Sequence, residues 1–403
     1  MAAVTKLGGG RMIRSVNRGL ILAALEASSQ SRADIAKSTG LNKATVSSQV
    51  AELIEAGLVV ETGIGPAELG RKPLLLELDG GAAYAAGVAL APRSFRLTIR
   101  DLAGKERLAR DCSLPAPPSA ETAVEAIGAA LDRALAELPR PRYGLAGLGL
   151  SVPGVVEAEG GMVLRATSLG WEGVSVREPL ARRCGCPVWV GNDAKLAAAA
   201  ERIAGGRGKC EEELLCLIVG EGIGLGAYLG GELYAGPRGY FGEAGHLPFV
   251  AGGRPCSCGN RGCWAAYASE TALAADLAAA LGESAPLPFE RIVELGSGPD
   301  PRVGACLSDY AGALAGGIAG LVNLFSPNAL VLASELLEAL PRLFAELRDR
   351  VAAQAMDFNR GCELRLSALG RRAPAIGAAL AARDRFIEAA IEDPGRLGSR
   401  SAP

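Results

Sequence analysis

The sequence predicts an α/β protein: an N-terminal winged helix-turn-helix followed by a body of two α/β lobes. Three observations lead there. Residues 31–57 read as two short capped helices hinged on Gly40, with two strands after them. The body falls into two sections, opening near residues 85 and 214, that each begin with apolar strands and continue into helices. The second section carries GEAGHLPFVAGGRPCSCGNRGCW at 242–264, with the only histidine of the chain and three of its ten cysteines.

The head comes first. Residues 1–10 lack apolar periodicity and are expected to be a disordered arm. Helical spacing starts at Ile13 and runs to Ala27 through Val16, Leu20, Ala24 and Leu25. Ser31 caps the next helix, and Asp34 three residues on completes a capping box. Gly40 makes the sharp turn, since glycine accepts positive φ. Asn42 caps a further helix that stops at Gly57. Ile35, Val46, Val50 and Leu53 face inward, with Ala36 where the helices cross. Asn42, Lys43, Thr45, Ser47, Ser48 and Gln49 are polar groups in the N-terminal half of the second helix, the half that enters a major groove. Strands at 58–61 and 73–77, joined by a Gly-rich loop holding Arg71 and Lys72, form the wing, and that basic pair is placed to meet phosphate or the minor groove. A plain three-helix bundle would share the helices but has no use for the wing. Residues 1–73 hold nine basic and six acidic side chains, in a chain whose net charge is −2. The positive charge therefore gathers on the head, as double-stranded DNA binding requires.

In the body, 85–91 and 95–100 are apolar or alternating and read as a strand pair turning at Pro92-Arg93. Residues 119–138 form an amphipathic helix, 143–150 a buried strand, and 187–190 a short one leading into Asn192-Asp193 and a helix to 203. An amide and a carboxylate at the end of a strand occupy the usual ligand position of an α/β sheet; the same pair also reads as a simple helix cap. The second section opens with the strand 214–219 and GEGIGLG, whose alternating glycines suit a hairpin that approaches a ligand or another strand closely. It matches neither the dinucleotide fingerprint nor the P-loop. Helices follow at 269–281, 302–325 and 336–355, then a strand at 363–366 and a helix at 373–391. Expected boundaries are 11–78 for the head, 79–192 for the first lobe completed by 373–391, 193–372 for the second lobe, and 392–403 for a disordered tail.

His246, Cys256, Cys258 and Cys263 form an H-x9-C-x-C-x4-C pattern. One imidazole and three thiols suit a tetrahedral Cys3His zinc site. Gly259 and Gly262 let the backbone fold tightly around an ion. Four protein ligands leave no open position, so the expected Zn2+ is structural, contributing on the order of 10 kcal/mol to local folding. The other seven cysteines are scattered and read as small buried hydrophobes or free thiols. No apolar h-region follows the start, and the apolar run 311–325 is too short to span a bilayer. A cytoplasmic protein without a membrane partner is expected.

Together, SVPG (151–154), LGW (169–171), GND (191–193), GEGIGLG (220–226), GEAGH (242–246), CSCGNRGC (256–263) and AYAS (266–269) resemble the ROK family, repressors and sugar kinases, over nearly the whole chain. The resemblance implies an actin-like, hexokinase-like two-lobed ATPase fold behind the head. It also implies zinc on His246, Cys256, Cys258 and Cys263, and a sugar held by Asn192, Asp193, Glu243 and His246, with Asp193 matching the kinase base. Ser168 stands where the family has Asn, and Ala265 where it has Glu. The nucleotide side departs further. Ala89 replaces the aspartate of the first phosphate loop, Gly220-Glu221-Gly222 replaces Gly-Thr-Gly, and Ala333-Ser334-Glu335 replaces a late glycine-rich motif. Without a backbone N–H cradle, and with a carboxylate facing phosphate, ATP chemistry is expected to be lost. The implied protein is a sugar-responsive repressor that binds palindromic operator DNA as a homodimer or homotetramer, with a carbohydrate or sugar phosphate as effector. A regulator controlled by a partner protein, and a kinase still active, are the other two classes.

Overall fold

The computed structural model describes residues 9–64, 73–115, 117–157, 160–204, 212–394 and 397, without the side chains of 9–12 and 64. The first helix, Gly9–Ala27, starts inside the stretch expected to be an arm, so residues 9 and 10 are helical. Arg32–Thr39 carries the capping box between Ser31 and Asp34, and Gly40 turns at φ 72°. In the recognition helix, Lys43–Glu55, the Asn42 side chain accepts from Thr45 N at 2.8 Å. The strands Val59–Ile64 and Leu74–Leu78 pair antiparallel, and Gln30–Ser31 adds a short third strand. Ile21, Ile35, Val46, Val50, Leu53 and Leu76 are fully buried together, the core of a winged helix-turn-helix.

That core is not closed by the head alone. Ile387, Ala390 and Leu397 belong to it. Arg18 Nη1 donates to Ile391 O at 3.1 Å, Tyr143 Oη donates to Ala56 O, and Glu26 pairs with Arg383 at 3.1 Å. The expected disordered tail is thus corrected at its start. Leu397 is buried because it joins the closing helix and Leu102 of the body in covering an apolar face of the head.

The body holds two five-stranded sheets of the same topology. In the first, Tyr84–Ala91 lies at the centre, antiparallel to Ser94–Asp101 and parallel to Leu145–Val152. Glu106–Ser113 and Val188–Asn192 form its edges. In the second, Leu214–Val219 lies at the centre, antiparallel to Ile223–Leu229 and parallel to Ala329–Ala333, with Glu232–Leu233 and Glu363–Leu366 outside. Each sheet is a three-stranded antiparallel meander followed by two parallel crossovers, so the strand order repeats.

Two helices fill the space between the sheets. The closing helix, Ala373–Glu392, lies flush on the first sheet; a Cβ on Gly87 or Gly149 would stand 2.0 Å from the carbonyl of Ala375 or Ala378. Its Gly377 touches Leu196 of the helix Asp193–Ala204, which in turn meets Gly226 of the second sheet. The abundance of Ala and Gly has its reason here: four layers meet almost backbone to backbone.

Several expectations are refined. The helix expected at 336–355 is broken at Leu340 into Glu335–Ala339 and Pro341–Gln354, because Pro341 has no N–H for a continuing ladder. The edge strand Glu106–Ser113, a small sheet of Val155–Val156, Val163–Ala166 and Trp171–Val174, and the helices Arg177–Cys184 and Phe289–Gly296 were not anticipated. Pro301–Phe325 is the one helix among the described residues long and apolar enough to cross a membrane. Its apolar face packs in the core of the second lobe through Tyr310, Leu314, Ile318 and Val322.

Candidate functional site

The donor atoms of His246, Cys256, Cys258 and Cys263 all lie within 4.8 Å of one another. His246 sits at the end of the 3-10 turn Ala244–His246. The chain then runs out and returns through paired backbone at Pro248 with Cys263 and Pro255 with Arg261. Gly259 (φ 93°) and Gly262 (φ 78°) make the tight reversals. His246 Nδ1 is 3.5 Å from Cys256 Sγ, and Cys258 Sγ is 3.7 Å from Cys263 Sγ. Trp264, 1% exposed, anchors the loop; its indole N–H donates to Ala313 O at 2.8 Å over Gly317. Four soft and borderline donors converging on one point are able to hold a metal ion.

The other ring nitrogen of His246 faces Glu243. Its Nε2 is 4.0 Å from Glu243 Oε2. Asp193 opens its helix at the carboxyl end of Val188–Asn192, and its Oδ1 accepts from Ala194 N at 2.8 Å and from Asn192 Nδ2 at 3.0 Å. Desolvation, with the Glu243 charge adding to it, pushes the Asp193 carboxyl up to about 6. Burial likewise raises Glu243. It lowers Lys195, whose Nζ donates to Gly239 O. Asn192, expected to face a ligand, also caps the helix: its Oδ1 accepts from Lys195 N at 3.1 Å and its Nδ2 also donates to Gly154 O at 3.0 Å. Ser168 is exposed on the 3-10 turn Thr167–Leu169, and no hydrogen bond among the described residues ties it to Asn192 or Glu243. Asp193, Glu243 and Lys195 therefore act on one another's charge, and His246 stands beside Glu243. Lys195 escaped the sequence reading because a lysine in the first turn after GND looks like a solvated helix residue.

Two of the three loops that match the family's nucleotide motifs in position, 220–222 and 333–335, are tied together through the start of one helix. Glu270, first residue of the helix Glu270–Leu281, donates its N–H to Gly220 O at 2.8 Å, and Thr271 Oγ1 donates to Glu221 O at 3.1 Å. The Glu270 carboxylate accepts from Ser334 Oγ at 3.0 Å, and desolvation pushes it up to about 7. An acid just past a Ser cap looks like ordinary helix-start chemistry, so local spacing carries no sign of its role. Across the cleft, the strand pair turns at Pro92-Arg93.

On the head, Asn42, Lys43, Ser47 and Ser48 are exposed and Thr45 half-buried, on one face of the recognition helix. Gln49 is a correction. It is buried, and its Nε2 donates to Glu52 Oε1 at 3.2 Å, because position 49 falls beside Val46 and Val50 on the inner face. Arg71 and Lys72 lie outside the described residues.

Residues 85–385 match the ROK family, and residues 15–60 match the bacterial regulatory protein, arsR family. The chain is 30% identical over 378 residues to the xylose repressor of Bacillus subtilis (strain 168), covering 93% of this chain and 97% of that protein. A crystal structure of a ROK family transcriptional regulator, a homolog of the E. coli Mlc protein, superposes with a TM-score of 0.77 at 22% identity, covering 96% of this chain and 98% of that one. A ROK family glucokinase from Streptomyces griseus, solved with glucose and AMPPNP, superposes with a TM-score of 0.67 at 26% identity over 75% of this chain and all (100%) of its own.

Proposed function

The chain belongs to the ROK family, and from that premise we propose that it is a sugar-responsive, DNA-binding transcriptional repressor of carbohydrate genes whose kinase chemistry is lost. One observation carries this reading: a winged helix-turn-helix and a ROK body are joined in one chain that aligns end to end with a xylose repressor. Asn42, Lys43, Thr45, Ser47 and Ser48 are the residues assigned to operator DNA, with Arg71 and Lys72 on the wing. A homodimer presents two such heads to a palindromic site in the cytoplasm. We assign residues 11–78 to the head, and the lobes to 79–192 with 373–391 and to 193–372.

His246, Cys256, Cys258 and Cys263 are assigned to zinc. Zn–S and Zn–N bonds of about 2.3 and 2.0 Å give tetrahedron edges of roughly 3.8 and 3.6 Å; the 3.7 and 3.5 Å separations fit them. Zinc so bound would act structurally, fixing the loop. Asp193, Glu243 and His246 then line a sugar site, with carboxylate oxygens accepting from hydroxyls and the His246 Nε2 side turned to the same space. Asp193 is kept as a binding group, not as a base in use. Ala89, Pro92 and Glu221 remove the phosphate cradle, and the Glu270–Ser334 bond closes loops that phosphate would need open.

Fluorescence anisotropy on DNA upstream of the protein's own coding sequence tests the reading, with D-xylose first in a panel of pentoses, hexoses and sugar phosphates. Tight binding released by one sugar is the expected result. Binding that no sugar disturbs would make the body a docking module for a protein partner. ATP turnover over the same panel would restore the kinase reading.

A further inference from the structure

A cavity of about 320 Å³ lies at the opposite end of the helix Asp193–Ala204 from Asp193. Ten residues of helix put about 15 Å between the two places. Its charged lining is Arg100, Arg372 and Arg383 against the single carboxylate of Glu106, and its apolar wall is Ile203, Ile376 and Leu380. The first sheet, the inner helix and the closing helix each supply part of it.

Arg100 is underpaired for its burial. Arg100 has a side chain 19% exposed; its Nη2 donates to Gly104 O, its Nη1 is 3.7 Å from Glu106 Oε2, and its Nε is buried without a partner. Glu106 also accepts from Thr98 at 3.3 Å, so it does not neutralise Arg100 alone. Arg383, 5% exposed at its side chain, gives Nε and Nη2 to Asp384 Oδ1 at 3.0 and 2.7 Å, and Nη2 also reaches Glu26 at 3.1 Å. Its Nη1 lies on the cavity side, 3.3 Å from where a Gly104 Cβ would stand. Arg372 donates Nε to Leu369 O at 3.2 Å. Burial lowers Arg100, the Glu106 charge opposes this, and repulsion from Arg383 and Arg372 adds to the lowering. Arg100, with a buried Nε lacking a partner, and the cavity-side Nη1 of Arg383 leave guanidinium N–H groups turned to one space that an anion would satisfy. Guanidinium forks match phosphate and carboxylate oxygens two at a time.

We propose that this cavity binds a small phosphorylated or carboxylated metabolite, with its anionic head between Arg100 and Arg383 and its organic part along Ile203, Ile376 and Leu380. The site is separate from the sugar cleft. An anion here competes with Glu26 for Arg383, and Glu26 ends the first helix of the head. Occupancy is therefore felt where the head joins the body.

Isothermal calorimetry and thermal melting of the full metal-loaded chain test the site, with inorganic phosphate, glucose 6-phosphate, citrate and glucose as probes. At least one anion is expected to give saturable heat and a raised melting temperature. Phosphate and citrate arms separate the two head groups. Arg100→Gln, and Ala204→Glu at the exposed lip, should each weaken anion binding by about tenfold or more, while Asp193→Asn leaves it unchanged. Ala204→Glu carries the test if Arg100→Gln folds poorly. Absence of binding by every anion, or equal binding in both variants, overturns the proposal. Loss of anion binding in Asp193→Asn would place the anion in the sugar cleft and overturn it as well. None of these readouts depends on DNA or on a sugar response.

Discussion

His246 stands with its Nε2 4.0 Å from Glu243 Oε2 while its Nδ1 faces the thiol of Cys256 at 3.5 Å. One ring thus joins the cluster of three thiols to Glu243. His246→Ala or Cys258→Ser should lose most of the zinc, expected at one ion per chain by elemental analysis, and chelation should lower the melting temperature of wild type. Glu243→Gln keeps all four donors. It is expected to retain zinc and lose the sugar response in the anisotropy assay.

Glu270 supplies a pH prediction. Its carboxyl is raised from 4.5 to about 7 by burial, so between those values the folded chain holds a proton that the unfolded chain has released. Stability from this group therefore falls as pH rises from about 4.5 to 7, and the cost is complete above 7. Glu270→Gln removes the cost and keeps an acceptor for Ser334. At pH 8 it should be more stable than wild type by on the order of 2 kcal/mol, and at pH 4 nearly equal to it, measured by urea unfolding.

The recognition helix separates DNA contact from packing. Lys43→Ala should weaken operator binding severalfold and reduce the salt slope by about one unit, with little change in melting. Gln49→Ala should do the reverse. It removes a buried bond to Glu52, whose other oxygen holds Arg18 at 2.7 Å, and should cost about 1 kcal/mol while the salt slope stays fixed.

Leu397 predicts a dependence of the head on the chain end. Ending the chain after Asp393 removes a side chain 5% exposed in the head core. The head should lose about 1–3 kcal/mol, below the usual cost for a central leucine because the site is peripheral. Faster hydrogen exchange over 13–55 is the measurement, and unchanged exchange there would show that the head closes its own core.

Local chemistry was legible in the sequence wherever one stretch carries it whole. The Ser31 box, the Gly40 turn and the Asn42 cap need only neighbours three residues away, and all formed as read. The cluster of His246 with three cysteines spans eighteen residues, and its spacing alone placed the donors together. The repeated strand-then-helix order announced two lobes, because hydrophobic runs separated by amphipathic helices leave a chain few other ways to bury them. What the sequence alone left undecided depends on residues far apart meeting. Gln49 turned from groove to core by which face the packing closed over. Glu270 met Ser334, and Arg383 met Glu26, across separations of 64 and more than three hundred residues, which no local spacing encodes. Their burial, and hence their charge behaviour, is set by desolvation, and desolvation is a property of the assembled layers and not of any segment.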